Sequence, residues 1–221
     1  MLAPTRNLPQ GICMTRRTRP IDETVLLALL GCALGALGII GFALARTEPL
    51  RPAPIVIPPP DFTLQLSTDG RDLTFAGTVD FGLTEALGRM LGAHPGVQRI
   101  LLESGGGSIA EARGAVRVIR EHALATHVDG HCASACALIF VGGIRRSMGS
   151  TARVGFHGYS VPMHNSYGMI DPQAEMLRDM AIYRAQAVAE PFIAILSSLP
   201  RVPMWYPEPA ELRSAGVLTA P

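Results

Sequence analysis

The chain has 221 residues, of which 48% are hydrophobic and 17% are charged, and its 19 basic residues nearly balance its 18 acidic residues. The formal net charge of +1 gives no electrostatic basis for binding nucleic acid or an acidic partner. All 19 basic residues are arginine. The chain therefore has no lysine to act as a general base, to form a Schiff base or to complete a phosphate-binding P-loop.

An apolar segment at 25–45, VLLALLGCALGALGIIGFALA, contains no charged residue. At about 1.5 Å per helical residue it spans the roughly 30 Å hydrocarbon core of a bilayer, so we expect a transmembrane anchor. Arginine is in excess on its N-terminal side, which predicts a cytoplasmic tail at 1–24 and an exported C-terminal part in the periplasm or outside the cell. The alternative is a cleaved signal peptide ending at Ala43-Leu44-Ala45, which exports the same part.

Residues 46–60 contain six prolines and predict a semi-rigid, extended linker. The remaining residues, 61–221, suffice for one domain with a sizeable core. Strand and helix patterns alternate along this domain, which predicts an α/β fold. The strands are expected at 62–67, 73–77, 98–103, 125–130 and 152–156, and the helices at 83–91, 108–122, 134–141, 171–198 and 208–215.

Three segments of the domain carry residues suited to chemistry. The first is the glycine turn ESGGGS at 103–108, where backbone amides can approach a ligand closely, although a tight turn from strand to helix needs glycine without any ligand. The second places Ser134 at the start of an apolar helix, where the helix dipole and free amides stabilise an oxyanion, although a serine at this position can also be an ordinary N-cap. The third ends a strand with His157, and site residues gather at strand ends in α/β folds.

These segments resemble the superfamily of the Clp-protease proteolytic subunit and crotonase. The family's Ser-Pro-Gly-Gly turn, its Gly-x-Ala-Ser-x-Ala/Gly serine and its strand ending in Ser-Arg-Val-Met-Ile-His are similar to SGGG at 104–107, GHCASAC at 130–136 and ARVGFH at 152–157. The segments GGIRR at 142–146 and PAELRSAGVL at 209–218 resemble two further family motifs in the same order. The resemblance extends over about residues 73–219 and looks closest to exported, membrane-tethered members.

The resemblance implies a repeated β-β-α superhelix and a serine peptidase site. Ser134 matches the nucleophile and His157 the general base, with an oxyanion hole made by the amides of Ala135 and of Gly106 or Gly107. It implies a peptide or protein substrate, self-association into a homo-oligomer, and no cofactor. The family's aspartate falls on Met204, which leaves Glu208, Asp171 or no carboxylate at all to orient the histidine.

Two of the four cysteines, Cys132 and Cys136, lie on either side of Ser134. Four residues apart on one helix, they could form a disulfide that constrains the serine turn. The alternative is that they pack like two alanines. Together with His131 they are too crowded for a tetrahedral metal site, so no metal is expected.

We therefore expect a membrane-anchored, ATP-independent serine endopeptidase, a hydrolase acting outside the cytoplasm. The alternative is a catalytically inactive binding or scaffold module that kept the fold. An acyl-CoA enzyme of the crotonase type is disfavoured because coenzyme A is not expected outside the cytoplasm.

Overall fold

The computed structural model describes residues 22–46, 59–159 and 170–220. The chain divides into two units, Met1–Ile57 and Pro58–Pro221. The described part of the first unit is one helix, α1 (Glu23–Arg46), which contains the apolar segment 25–45. Among the described residues, no helix is both long enough and apolar enough to cross a membrane. The anchor stays a prediction, and most of the predicted tail and linker lies outside the described residues.

The described residues of the second unit form seven strands and six helices. The strands are β1 (Phe62–Leu66), β2 (Asp72–Gly77), β3 (Arg99–Glu103), β4 (Ala125–Val128), β5 (His131–Ala133), β6 (Arg146–Met148) and β7 (Arg153–Gly155). The helices are α2 (Leu83–Ala93), α3 (Ile109–Glu121), α4 (Ala135–Val141), α5 (Pro172–Ala185), α6 (Glu190–Ser198) and α7 (Pro209–Ser214). Two strands followed by a helix recur as β1-β2-α2 and β4-β5-α4, whereas α3 follows the single strand β3.

Five strands form one sheet in the order β1-β2-β3-β4-β6, and β5 and β7 form a second, two-stranded sheet. β1 pairs with β2 in antiparallel orientation, and the other neighbours are parallel. Single bridges connect the two sheets and the turns, including one between Ser104 and Cys132. The ends of β3, β5 and β7 are thereby brought to one region of the domain.

One face of the larger sheet carries the core. Burial alternates along β2, β3 and β4, so that every second side chain packs against the helices. α2 buries Leu83, Leu87 and Leu91, which lie on one face because they are spaced by four residues. All seven residues of α4 are buried, as its entirely apolar sequence predicts.

Every strand and helix predicted from the sequence is present except one. The single helix predicted at 171–198 is wrong, since α5 ends at Ala185 and α6 begins at Glu190. Between them Ala187 has φ 59°, a positive φ that ends a helix. Pro191 then occupies the first turn of α6, a position that proline favours. The sequence analysis also missed β5 and β6, which have three residues each.

Buried Arg146 connects the sheet to the C-terminal segment of the chain. Its guanidinium donates to the carbonyl oxygens of Val217 at 2.9 Å, Gly143 at 2.9 Å, Gly216 at 2.7 Å and Gln186 at 3.1 Å. The side chain is only 3% exposed, and burial lowers the pKa of the guanidinium. Four carbonyl groups on three segments therefore depend on one side chain for their hydrogen bonds.

We predict that Arg146→Met destabilises the protein by at least about 3 kcal/mol, because it leaves two buried and two half-buried carbonyl groups without a donor. Urea unfolding followed by circular dichroism measures the loss. The matched control is Arg145→Met, since Arg145 is exposed and its substitution should stay within about 0.5 kcal/mol. Equal unfolding midpoints for the two variants would contradict the structural role of Arg146.

Candidate active site

Ser134 occupies a strained turn between β5 and α4. Its backbone has φ 58° and ψ −123°, a conformation that costs a residue other than glycine about 1–3 kcal/mol. The turn is held on the strand side by the Ser134 amide, which donates to the Gly155 carbonyl at 2.9 Å. Strain of this kind persists where the surroundings enforce it, and it marks candidate active sites.

His157 lies beside Ser134 because the strands before them pair in parallel. Ala133 of β5 is in register with Gly155 of β7, so the chain segments that leave the two strands start side by side. The Nε2 atom of His157 is 2.8 Å from the Oγ atom of Ser134. This distance is within the range needed for a histidine to take a proton from a serine hydroxyl.

The other ring nitrogen of His157 is oriented by a backbone carbonyl. Nδ1 is 2.7 Å from the carbonyl oxygen of Gly158, and the Gly158 amide donates to the Pro200 carbonyl at 2.8 Å. Because a carbonyl only accepts, Nδ1 carries the proton in the neutral ring and Nε2 is free to accept the proton of Ser134. Among the described residues, no carboxylate is hydrogen bonded to His157.

Neither candidate carboxylate from the sequence analysis serves as the third member. Asp171 is the N-cap of α5 and accepts from the Gln173 amide at 2.9 Å. Glu208 is the N-cap of α7 and forms a capping box with Glu211. Both carboxylates stabilise helix ends.

The position that the resemblance assigns to the aspartate does lie near the histidine strand. Met204 directly precedes Trp205, which exchanges two backbone hydrogen bonds of 2.8 Å with Phe156. Phe156 in turn precedes His157 in the chain. The backbone is therefore in place, but methionine has no oxygen with which to accept a proton from Nδ1.

The glycine turn packs directly on the serine turn. A Cβ atom on Gly106 would lie 2.7 Å from the Cβ atom of Ser134 and 3.1 Å from the Ala135 nitrogen, so no larger residue fits there. The Gly106 amide donates to the Oγ atom of Ser104 at 3.1 Å. In the described part of the chain, by contrast, the amides of Gly107 and Ala135 have no acceptor. Of the two glycines proposed as oxyanion donors, Gly107 is the one whose N–H is available.

An apolar pocket opens beside the serine–histidine pair. Ser134 and His157 line it on one side. The other lining side chains come from α5, α6 and the segment around the histidine, and they are Phe156, Tyr159, Met176, Met180, Tyr183 and Leu196. The lining is mostly apolar, but the cavity has a volume of only about 20 Å³, room for about one water molecule, so a side chain enters only if the walls move apart.

A partly buried ion pair fixes one wall of this pocket. Asp179 is 1% exposed and accepts from the Nε and Nη2 atoms of Arg113 at 2.5 and 3.0 Å. It also accepts from the Tyr159 hydroxyl at 2.8 Å. Burial, with the nearby Tyr183 and Asp179, raises the pKa of the Tyr159 phenol. The phenol therefore remains a donor, and α3, α5 and the segment after His157 are held together.

The structure contains a second serine–histidine contact, between strands β4 and β6 of the larger sheet. The Nδ1 atom of His127 is 2.7 Å from the Oγ atom of Ser147, and its Nε2 atom is 2.9 Å from a carboxylate oxygen of Asp129. Ser147 lies inside strand β6, and it does not line the apolar pocket. This group has a carboxylate but lacks the strained turn and the adjacent free amides, so it is a natural control for the first pair.

Cys132 and Cys136 form a disulfide, with their Cα atoms 5.3 Å apart. The two cysteines lie on different elements, since Cys132 is in β5 and Cys136 in α4. The expectation that both lie on one helix is therefore wrong, while the disulfide hypothesis agrees with the structure. Over the described residues, no group of three or more His, Cys, Asp or Glu side chains is placed to hold a metal ion.

Comparison with known proteins bears on the fold. No known protein family matches the chain, and no curated protein matches it significantly. Among solved structures, ClpP1 from Listeria monocytogenes is 17% identical with a TM-score of 0.52, over 68% of this chain and 89% of that chain. A mutant of ClpP1 from the same organism is 15% identical with a TM-score of 0.52, over 68% and 90%.

The domain has a ClpP-like fold. An enoyl-CoA hydratase from Mycobacterium smegmatis also matches, at 11% identity and a TM-score of 0.47, over 72% of this chain and 68% of that chain. The predicted α/β class and its likeness to the Clp-protease subunit are confirmed at the level of the fold. At these identities the likeness carries no further information on activity.

Sequence reasoning missed the orienting carbonyl and the pocket. A backbone carbonyl belongs to every residue, so nothing in the sequence distinguishes that of Gly158. Met176, Met180 and Tyr183 do have a helical spacing of four and three, but that spacing marks any buried helix face. Arg113 and Asp179 are 66 positions apart, which is beyond the reach of local patterns.

We predict that Gly158→Ala slows covalent labelling of Ser134 by a fluorophosphonate about 10-fold. A Cβ atom there would lie 2.4 Å from the Leu199 carbonyl oxygen, so the backbone must shift and carry the orienting carbonyl away from His157. The control is Gly92→Ala in α2, where a Cβ atom meets nothing within 4 Å. Labelling of the two variants at the same rate would show that the carbonyl does not orient the histidine.

Proposed function

We propose that the protein is a serine peptidase that acts without an ATPase, with Ser134 as nucleophile and His157 as general base. The observation that carries the proposal is the 2.8 Å contact between the Oγ atom of Ser134 and the Nε2 atom of His157, made by a serine held at φ 58°. The amides beside that serine, which have no acceptor among the described residues, and the apolar pocket support the same interpretation.

The residues perform two half-reactions. His157 takes the Ser134 proton at Nε2 while Oγ attacks the peptide carbonyl, and the amides of Ala135 and Gly107 donate to the oxyanion that forms. The C–N bond then breaks, the amine leaves with the proton from His157, and an acyl-serine remains. Water activated by the same histidine hydrolyses the ester and restores Ser134.

The carbonyl of Gly158 takes over one of the two tasks that an aspartate performs. It fixes the tautomer, because Nδ1 must carry the proton to donate to it. It has no full negative charge with which to stabilise the imidazolium. We therefore propose a Ser–His dyad that is slower than a complete triad.

The apolar pocket indicates the substrate class. Met176, Met180 and Leu196 offer no charged or strongly polar group to a substrate, so an apolar side chain next to the scissile bond suits this lining best once the walls have moved apart to admit it. Protein segments rich in apolar residues are the substrates we propose.

We also propose that the domain lies outside the cytoplasm and is tethered by α1. The support for a tether is the sequence segment 25–45, whose 21 residues carry no charge and are enough to span a hydrocarbon core of roughly 30 Å. The Cys132–Cys136 disulfide supports export, since disulfides persist in oxidising compartments. Self-association into a homo-oligomer belongs to the same proposal and follows from the family resemblance.

The competing function is a binding or scaffold module without catalysis. The observation that favours it is the lack, among the described residues, of a carboxylate bonded to His157. A module of this kind would keep the apolar pocket as its peptide-binding site. The two functions differ in whether the protein cleaves a substrate through Ser134 or only binds it.

We predict that Ser134→Ala lowers casein cleavage by the full-length protein by at least about 10³-fold and abolishes fluorophosphonate labelling, because the nucleophile is removed. The matched control is Ser147→Ala, which removes the serine of the other serine–histidine contact and should leave both rates unchanged. Wild-type protein that neither cleaves casein nor reacts with the probe would favour the binding module.

A further inference from the structure

We propose that the disulfide between Cys132 and Cys136 is a positioning element of the serine site. It holds Ser134 in its strained, positive-φ conformation and keeps the Ala135 amide beside it. The effect on reaction rate rests on the proposed peptidase function, whereas the effect on the geometry of the turn does not.

The disulfide encloses the residues that the chemistry uses. Its loop contains only Ala133, Ser134 and Ala135 between the two cysteines, and both cysteines are fully buried. One end of the loop is anchored in β5 and the other in the first turn of α4. Because Ser134 lies between these two ends, a movement of β5 relative to α4 would change the backbone conformation of Ser134.

The hydrogen bonds of the turn are unevenly distributed. On the strand side, Ala133 donates to the Ser104 carbonyl at 3.0 Å and Ser134 donates to the Gly155 carbonyl at 2.9 Å. On the helix side, the first amide with an acceptor is that of Ala137, which donates to the Ser134 carbonyl at 3.0 Å. The amides of Ala135 and Cys136 have none among the described residues.

The disulfide is the covalent link that replaces those missing hydrogen bonds. It ties the start of α4 back to β5 at the point where the chain leaves Ser134. Without it, the unfavourable φ of Ser134 is free to relax by rotation of the start of α4. Such a rotation would move Oγ away from His157 and the Ala135 amide away from the oxyanion.

The small size of the loop argues against a role in global stability alone. A disulfide stabilises a fold mainly by restricting the unfolded chain, and this effect grows with the number of residues in the loop. Here the two cysteines are only four positions apart, so the disulfide restricts the unfolded chain little. The position of this disulfide is therefore better suited to fixing local geometry than to restricting the unfolded chain.

The apolar walls of the pocket, on the side away from Ser134, should be unaffected by loss of the disulfide. These walls come from Met176 and Met180 on α5, Leu196 on α6 and the segment around Tyr159. The ion pair of Arg113 and Asp179 holds that region independently of Cys136. We therefore expect the loss to lower the rate of the chemical step and to leave probe binding nearly unchanged.

The test compares the full-length double variant Cys132→Ala/Cys136→Ala with wild type. Fluorophosphonate concentration is varied to separate the maximal labelling rate from half-saturation, and amide hydrogen exchange is followed at Ser134 and Ala137. We expect the maximal rate to fall at least about 10-fold with half-saturation within about 2-fold, and the two amides to exchange at least about 10-fold faster.

The control for general destabilisation is Leu91→Ala, which removes a fully buried side chain of α2. It should lower the melting temperature while leaving the maximal labelling rate and the exchange at Ser134 unchanged. An equal fall in labelling rate for this control, or unchanged exchange at Ser134 and Ala137 in the double variant, would overturn the proposal.

Reduction of the wild-type protein provides a second route if the double variant does not fold. A small-molecule dithiol supplies two electrons and two protons, becomes a cyclic disulfide, and leaves Cys132 and Cys136 as thiols. The count of free thiols should rise by two, and the exchange at Ser134 should accelerate as in the variant. If wild-type protein is not labelled at all, the peptidase proposal fails, and the exchange data still decide whether the disulfide holds the turn.

Discussion

The parallel pairing of β5 with β7 is the interaction on which the candidate site depends. Parallel strands run in the same direction, so the residues that follow them lie at the same edge of a sheet. Here those residues are Ser134 after β5 and His157 after β7, which are 23 positions apart in the chain. The two-stranded sheet has only three pairs in register, and its ends are held by other parts of the domain. The Ser104–Cys132 bridge supports β5, and the Phe156–Trp205 bridge supports β7.

A backbone carbonyl takes the place of a carboxylate in this site, and the exchange has a physical consequence. The Gly158 carbonyl selects the correct tautomer of His157, but it contributes only a dipole to the stability of the imidazolium. The buried carboxylate of Asp179 instead accepts hydrogen bonds from Arg113 and from the Tyr159 hydroxyl. The Asp179 carboxylate thus stabilises the pocket wall and does not orient His157. A serine–lysine mechanism needs a lysine as the general base, and this chain contains none.

The long, patterned elements and the two residues of the serine–histidine contact could be predicted from the sequence. α2 and α3 have clear helical spacing, and Ser134 and His157 stand in segments with a family resemblance. β5 and β6 could not be predicted, since three residues are too few to show alternation. The division between α5 and α6 depends on the left-handed Ala187, a residue whose type favours helix. The unpaired amides of Gly107 and Ala135 and the carbonyl of Gly158 are backbone groups, so only the fold could reveal which of them is available.

The most direct measurement of the central claim is the location of the covalent adduct after fluorophosphonate labelling of the full-length protein. Because every basic residue is arginine, trypsin cuts after Arg120, Arg145, Arg146 and Arg153, and Ser134 is the only serine of the peptide 121–145. The account predicts that mass spectrometry finds the adduct on this peptide. An adduct on the peptide 147–153, which carries Ser147, or no adduct on either peptide, would contradict the assignment of Ser134 as the nucleophile.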